Sequence, residues 1–201
     1  YDYIMKPRII AIVQARLGSS RLPRKVLKNV YAEDKAIDIL IRRLAKAKSI
    51  SKIVVATSVN SSDDVLAEYL EKRSIEVFRG SENDVLNRFY ETARKYNAEY
   101  IVRITADCPL IDPEIVDQLV EKVVSGSYDF GSNQIPFRFP DGFDVDVFSR
   151  ELLEMTHSEA IESYDREHVT PFMHRKAEVK RTGIPIENDY SDIRLTLDEI
   201  D

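Results

Sequence analysis

Apolar runs of strand length alternate with segments of helical period through the first two-thirds of the chain, and this alternation strongly restricts the fold. The apolar runs cover residues 9–15, 53–58, 75–79 and 100–106. Between the first two, apolar side chains recur at helical spacing, at Ile37, Leu40, Ile41 and Leu44. Repeated βα units of this kind predict a mostly parallel sheet covered by helices. The fold class is therefore α/β.

The pattern changes after one further helix. Asp112 and Pro113 form a helix start, with a capping residue followed by a first-turn proline. Residues 128–149 are rich in aromatic residues, Gly and Pro, which favours short antiparallel strands and a loop at the PDG sequence, residues 140–142. Helices are predicted over residues 150–175 and a short strand over residues 193–197. With no repeat or linker, we expect one domain over residues 1–201, in which residues 1–5 have no assigned role.

Composition excludes several classes of protein. The chain has 201 residues, 43% of them hydrophobic, which is enough for one core. A net charge of -6 argues against general nucleic-acid binding, and no apolar run approaches the ~20 residues of a membrane helix. One cysteine, Cys108, excludes an internal disulfide, and no signal peptide is evident, so a cytoplasmic location is expected. A cysteine-rich zinc site is excluded as well.

A basic loop, QARLGSSRLPRK at residues 14–25, follows the first apolar run. Between Lys6 and Val30 there is no Asp or Glu, yet seven Lys and Arg residues occur there. Such a local excess of positive charge in an acidic chain indicates an anionic ligand. Arg and Lys suit phosphate oxygens, and Gly18 with Ser19 allows backbone N–H groups to approach the same anion. A solvated basic loop is the alternative, but its place after a strand favours a ligand site.

Asp107 follows the fourth apolar run in the sequence VRITADCPLIDP, residues 102–113. A carboxylate at the carboxyl end of a strand, facing a basic loop, could hold Mg²⁺, which takes one or two carboxylates and completes its shell with water and phosphates. Asp198, after the sequence RLTL, could supply a second carboxylate. A turn-capping role for Asp107 and an ordinary surface role for Asp198 are the alternatives.

These segments, with FRGSENDVLNRFYETA at residues 78–93, PDGFDVDVFS at 140–149 and DREHVTPF at 165–172, resemble the acylneuraminate-type cytidylyltransferases. Within that family the spore-coat polysaccharide biosynthesis branch is the most similar, a relative of the synthetases that make CMP-sialic acid and CMP-Kdo. The resemblance covers nearly the whole of residues 9–198. It implies a Rossmann-like nucleotidyltransferase fold, similar to glycosyltransferase A, with a mixed, mostly parallel sheet. It also implies Mg²⁺-dependent attack of a sugar hydroxyl on the α-phosphate of CTP, with release of pyrophosphate.

The resemblance and the loop chemistry together assign roles to individual residues. Lys25, Arg16 and Arg21 are the expected catalytic cations at the triphosphate. The expected nucleotide-binding residues are Ala15, Arg16, Gly18, Ser19, Lys25, Arg79, Asp84 and Arg88. Asp107 matches the family's metal-binding aspartate, and Asp198 matches the acid of a late DxPED-like motif that here reads DEID. The family's usual last helix is not expected within these residues.

The acceptor site is less sharply defined by the sequence. Its candidate residues are Asn133, Gln134, Asp141, Asp144, Arg166 and His168. Turn chemistry explains Asn133 and Gln134 equally well. Arg138 and Arg166 could offset the charge of an acidic sugar, or could make local ion pairs instead. A different sugar- or polyol-phosphate nucleotidyltransferase and a catalytically idle binding module stay open as functions, as does a homodimer.

Overall fold

The computed structural model describes residues 6–18 and 24–197. The strands are β1 (Ile9–Gln14), β2 (Asn29–Tyr31), β3 (Asp34–Lys35), β4 (Lys52–Ser58), β5 (Glu76–Gly80), β6 (Tyr100–Thr105), β7 (Phe130–Ser132), β8 (Asp146–Ser149) and β9 (Arg181–Gly183). The helices are α1 (Ala36–Leu44), α2 (Asp64–Glu71), α3 (Val85–Lys95), α4 (Pro113–Ser125), α5 (Arg150–Glu159), α6 (Ser163–His168) and α7 (Pro171–Arg175). Two short 3₁₀ helices occupy Lys25–Leu27 and Ser61–Asp63.

A seven-stranded sheet has the order β5-β4-β1-β6-β8-β7-β9, and β2 pairs with β3 in a separate hairpin. The neighbours β5, β4, β1 and β6 are parallel, whereas β8 runs antiparallel to both β6 and β7. This confirms the mixed, mostly parallel sheet. In the sheet, β4 lies on one side of β1. The later strand β6 lies on the other side of β1. Such a switch point leaves a crevice at the carboxyl ends of the strands.

Two apolar layers cover the sheet, because successive side chains of a strand point to opposite faces. In β1, Ile9, Ala11 and Val13 pack into one layer with α1, α2 and α4. Ile10 and Ile12 pack into the other layer with α3, α5 and α7. Full burial of each such side chain contributes roughly 1.5–3 kcal/mol. A rigid sheet therefore holds the residues that follow its strands.

The four predicted βα strands agree with the observed ones to within about one residue at each end, and Asp112 caps α4 as predicted, accepting the N–H of Glu114. The antiparallel pieces within residues 128–149 are confirmed as β7 and β8. The hairpin β2-β3 and the strand β9 had no clear sequence signal. No helix in the described ranges combines the length and apolarity needed to cross a membrane.

Of two predictions about the last third of the chain, one is confirmed and one is wrong. The helices predicted over residues 150–175 are α5, α6 and α7, which are separated because Ala160 is extended and Val169 has a positive φ of 70°. The strand predicted over residues 193–197 is reduced to an isolated bridge between Arg194 and Asp141. Backbone N–H groups in this segment bond to two separate loops, at Asp141 and Asp107, rather than to one strand.

Candidate active site

A cavity of about 330 Å³ opens beyond the carboxyl ends of β1 and β6. Its lining residues are Gln14, Ala15, Arg16, Lys25, Val26, Arg103, Thr105, Ala106, Asp107 and His168. Five residues predicted from the sequence, namely Ala15, Arg16, Lys25, Asp107 and His168, are thus brought together. Ser19 and Arg21 in the basic loop, and Asp198, lie outside the described residues.

Lys25 and Asp107 form an ion pair across the cavity, with 3.1 Å between Lys25 Nζ and Asp107 Oδ2. Lys25 begins the 3₁₀ helix after the basic loop, and Arg24 before it has a positive φ of 57°. The Lys25 side chain is 14% exposed and that of Asp107 is 29% exposed. In the described ranges no group of three or more His, Cys, Asp and Glu residues could hold a metal. A metal at Asp107 would therefore need ligands from elsewhere, such as phosphates and water.

Asp63 fixes the start of the basic loop, which the sequence analysis did not anticipate. This carboxylate is 1% exposed, and its Oδ1 accepts the N–H of Leu17 at 2.7 Å. Its Oδ2 accepts the hydroxyl of Ser58, the last residue of β4. Asp63 therefore ties the loop after β1 to the end of the neighbouring strand. The only sequence signal is its place in NSSDD, a polar run directly after β4.

Arg88 lies beneath the cavity rather than in its lining. Its side chain is 1% exposed, and Nη1 donates to the carbonyl of Ser81 at 2.7 Å, whereas Nε is buried without a partner. Burial, together with the nearby positive charge of Arg16, lowers the pKa of Arg88 to about 10. The two guanidinium groups therefore lie close enough to repel each other, with Arg16 the one that reaches the cavity. Gly18, at the start of the loop, lies near Glu82.

Arg79, Asp84 and Arg166 are engaged in holding neighbouring elements together. Arg79 donates to the carbonyls of Ser58 and Asn60 at 2.9 and 3.0 Å and pairs with Asp64 at 2.7 Å. Arg166 binds Asp84 through two hydrogen bonds of 3.0 and 2.6 Å, joining α6 to the start of α3. None of the three lines the cavity. Their assignment to nucleotide or sugar stays a prediction.

Asn133 and Gln134 make the contacts expected of turn residues. Asn133 is fully buried, donates to the carbonyl of Phe143 at 2.8 Å and accepts the N–H of Val145 at 2.9 Å. The Gln134 amide donates to Asp144. Neither residue lines the cavity, so their predicted role in sugar binding has no direct support from the geometry.

The two aspartates of the PDG segment also lie outside the cavity lining. Asp141 pairs with Arg194 at 3.5 Å. Burial, together with the charges of Asp141, Asp146 and Asp107, raises the pKa of Asp144 to about 6. Arg138, which the sequence offered as a spare cation, donates to the carbonyls of Ile186 and Glu187. Within the described part of the chain, neither Arg138 nor Arg166 makes the local ion pair considered as the alternative: Arg138 bonds to backbone carbonyls and Arg166 pairs with the distant Asp84.

Cys108, next to Asp107, is buried and donates weakly toward its neighbours. Burial raises the pKa of the Cys108 thiol well above its usual range, and the charge of Asp107 adds to the effect. A thiol is nucleophilic only as the thiolate. Cys108 is therefore excluded as a nucleophile at neutral pH.

His168 is exposed at the end of α6 and forms the rim of the cavity. The next residue, Val169, is fully buried with φ 70° and ψ -55°, and the N–H of Thr170 bonds to the His168 carbonyl at 2.8 Å. A β-branched residue in this conformation costs about 1–3 kcal/mol, which the surrounding packing must offset. This turn ends α6 at His168 and holds that residue beside the cavity.

Gln14, Arg103 and Thr105 line the floor of the cavity and were not predicted as site residues. Gln14 pairs with Thr105 in the β1-β6 register, and Arg103 lies two residues earlier on β6. The strand sequence VRIT did contain a signal, since its two polar residues alternate with apolar ones that lie in the core. Polar side chains on one face of an interior strand indicate a cavity above that face.

Taken with the fold, a basic loop and a carboxylate at the carboxyl ends of two parallel strands define a nucleotidyltransferase. The particular family follows from the match of residues 10–194 to the model of the cytidylyltransferases. The chain belongs to that family. Nucleotidyl transfer is accordingly its class of reaction.

Individual relatives agree with this placement. An uncharacterised protein of Methanocaldococcus jannaschii is 37% identical over 196 residues, which cover 96% of this chain and 79% of that one. The spore coat polysaccharide biosynthesis protein SpsF of Bacillus subtilis is 34% identical over 171 residues, covering 82% of this chain and 69% of its own. A solved cytidylyltransferase from Leptospira borgpetersenii is 34% identical, with a TM-score of 0.87 over 96% of this chain and 82% of that one.

Proposed function

We propose that the protein transfers CMP from CTP to a hydroxyl group of an acidic sugar, with Mg²⁺ bound and pyrophosphate released, for the synthesis of a surface polysaccharide. The observation that carries the proposal is the presence of Arg16, Lys25 and Asp107 in one cavity at the ends of β1 and β6. The name of the Bacillus subtilis relative supports the polysaccharide, and the family resemblance supports the acidic sugar.

The triphosphate would lie against Arg16 and Lys25. Among the described residues Arg16 has no carboxylate partner, and it repels the buried Arg88. A bound anion would relieve that repulsion, so the charges at this site favour a negatively charged ligand. Lys25 presents an ammonium group that can exchange Asp107 for a phosphate oxygen.

The residues present fit a magnesium ion held jointly with the nucleotide. Asp107 offers a hard carboxylate oxygen at the cavity, and the N–H of Leu197 bonds to the Asp107 carbonyl at 2.8 Å. That bond holds the backbone of Leu197 beside Asp107, and Asp198, outside the described residues, stays the second candidate ligand from the sequence. When bound, Mg²⁺ would neutralise phosphate charge and make the α-phosphorus more electrophilic.

The transfer needs no covalent enzyme intermediate. The sugar oxygen forms a bond to the α-phosphorus, the bond to the bridging oxygen breaks, and its electron pair leaves with pyrophosphate. The hydroxyl proton passes to water. The contribution of the protein is positioning and charge: Arg16 and Lys25 stabilise the charge that develops on the leaving group. His168 at the rim would contact the acceptor.

The test is pyrophosphate release from CTP and Mg²⁺ with a panel of sugars: N-acetylneuraminate, Kdo, a neutral hexose and a hexose phosphate. We expect release with a sugar acid and none without an acceptor or without metal. Release only with the neutral or phosphorylated sugar would overturn the acidic acceptor while leaving nucleotidyl transfer intact. Binding of CTP without release for any sugar would instead indicate an idle binding module.

A further inference from the structure

Arg103 places a positive charge on the floor of the cavity. It lies on β6 opposite Asp146 of β8, and its Nη1 is 3.0 Å from Asp146 Oδ2. Nε of the same side chain is buried without a partner. Nη2 makes no hydrogen bond with any residue in the described ranges. One edge of the planar guanidinium group therefore holds Asp146, and the Nε/Nη2 edge is left for something else.

Gln14 lies on the neighbouring strand at the floor of the cavity and has the complementary defect. Within the described residues, Oε1 of Gln14, at the end of β1, is also buried without a hydrogen-bond partner. Gln14 pairs with Thr105, so the backbone positions of Gln14 and Arg103 are offset by roughly 6.6 Å along the strands. The cavity lining thus includes one side chain with an unpaired donor and one with an unpaired acceptor. Buried polar groups without partners are rare in native proteins and indicate a missing ligand or water.

Arg103 lies in a cluster of charged residues. Asp146 pairs with its Nη1 edge. Arg181 lies in the same cluster and, within the described residues, donates to the carbonyls of Met173, Lys176 and Val179. His174 faces Asp146, Arg181 and Arg103, and burial lowers its pKa, which favours the neutral ring at neutral pH. Asp146 also lies near the carboxylate of Asp144, so Arg103 offers a ligand its unbonded Nε/Nη2 edge rather than a surplus of charge.

We propose that Arg103 binds the carboxylate of the acceptor sugar through its Nε/Nη2 edge and thereby selects acidic acceptors. Bidentate binding of a carboxylate is the geometry that a guanidinium edge provides. Gln14 accepts a hydrogen bond from a hydroxyl group of the same sugar, and Asp146 is a positioning residue that holds the guanidinium group in its plane. The inference rests on the proposed CMP transfer to an acidic sugar and assigns the acid group to a residue outside the basic loop.

The test measures acceptor binding without turnover. Wild type and Arg103→Met are saturated with Mg²⁺ and α,β-methylene CTP, which cannot transfer its CMP group, and are titrated by calorimetry with Kdo and N-acetylneuraminate and with their methyl esters. Wild type should bind one of the acids and discriminate against its ester. Arg103→Met should bind that acid roughly 10- to 100-fold more weakly, no longer discriminate, and keep its affinity for the nucleotide within about twofold.

Two further variants separate recognition from folding. The double variant Arg103→Met with Asp146→Asn removes both members of the ion pair and leaves neither charge without its partner, so it should fold and still fail to discriminate. Arg138→Met removes an arginine that contacts only carbonyls, and it should bind the acid as wild type does. Equal binding of the acid by wild type and the double variant would overturn the role of Arg103. Wild type that binds neither acid, but releases pyrophosphate with a neutral sugar, would overturn the acidic acceptor itself.

Discussion

The ammonium group of Lys25 lies 3.1 Å from the carboxylate of Asp107, so the predicted phosphate ligand and the predicted metal ligand neutralise each other in the absence of substrate. Binding of a metal-nucleotide complex would exchange these partners. Asp107 would then face the metal and Lys25 a phosphate oxygen. Each of the two side chains exchanges one partner of opposite charge for another, which lowers the electrostatic cost of separating them.

Replacing Lys25 by Ala should lower turnover by roughly 10²-fold, the scale for loss of one preorganised charge donor at a reacting phosphate. Steady-state pyrophosphate release measures the effect. Lys28→Ala, at an exposed position of the same basic segment, is the matched control and should retain activity. Unchanged turnover in a folded Lys25→Ala protein would show that the triphosphate binds elsewhere.

Replacing Asp107 by Asn should abolish metal-dependent activity, because the amide keeps the shape of the side chain but loses the charge that holds a hard cation. Asp198→Asn should weaken it. Titration of Mn²⁺ followed by electron paramagnetic resonance, with and without CTP, gives the metal affinity directly. If Asp107→Asn has the same apparent dissociation constant for Mn²⁺ as wild type, Asp107 is excluded as a metal ligand.

Asp63→Ala should destabilise the protein by about 1–3 kcal/mol, because it leaves the N–H of Leu17 and the hydroxyl of Ser58 without their acceptor. The apparent affinity for CTP should fall with it, since the basic loop loses its anchor. Asp64→Ala, at the next position, removes a half-exposed partner of Arg79 and should cost under about 1 kcal/mol. Urea unfolding compares the two variants, and equal losses would contradict the anchoring role.

CTP should be the preferred nucleotide. A ligand that binds only the folded state raises the melting temperature by mass action. A thermal-shift panel of ATP, GTP, UTP and CTP with Mg²⁺ should show the largest shift for CTP, and Arg16→Ala should reduce that shift. Equal shifts for all four nucleotides would favour a general anion-binding module.

Asp144 should make the protein less stable as the pH rises from about 4 to 6. Its pKa is raised from 3.8 to about 6 by burial, so in this window the unfolded chain loses the proton first and the folded state binds more protons. The free energy of unfolding then falls as the pH rises, by roughly 3 kcal/mol in total for a pKa shift of about two units. Above pH 6 the ionisation of Asp144 lowers it no further.

Asp144→Asn should remove this pH dependence and be more stable than wild type at pH 7, while differing little from it at pH 3.5. Urea unfolding at closely spaced pH values provides the comparison. A stability difference between the two proteins that does not change between pH 4 and 6 would contradict the assignment.

The sheet and half of the site were predictable from the sequence for one physical reason. Parallel strands end at a common edge, so Arg16, Lys25 and Asp107 could be expected to meet once the strands before them were recognised. Arg103 could not be found in this way. Its partner Asp146 is 43 residues away on an antiparallel strand, and no local pattern reveals that pairing.

The engagement of Arg166 was hidden for a similar reason. Its partner Asp84 is 82 residues away and caps a different helix, so the sequence shows two charged residues but not that they bind each other. The boundary between α6 and α7 at Val169 had no local signal either, because a buried valine with positive φ is set by tertiary packing.

Because α6 has only six residues, the backbone on the His168 side of the cavity should open faster than the backbone of β1 and β6 on the other side. β1 and β6 are interior strands with hydrogen-bonded neighbours on both sides, so their amides should exchange with solvent only on global unfolding. A helix this short is not stable alone, and α6 is held to α3 by the Arg166–Asp84 pair. Salt weakens such a pair. Ionic strength should therefore speed amide exchange at His168 while leaving that of Thr105 unchanged.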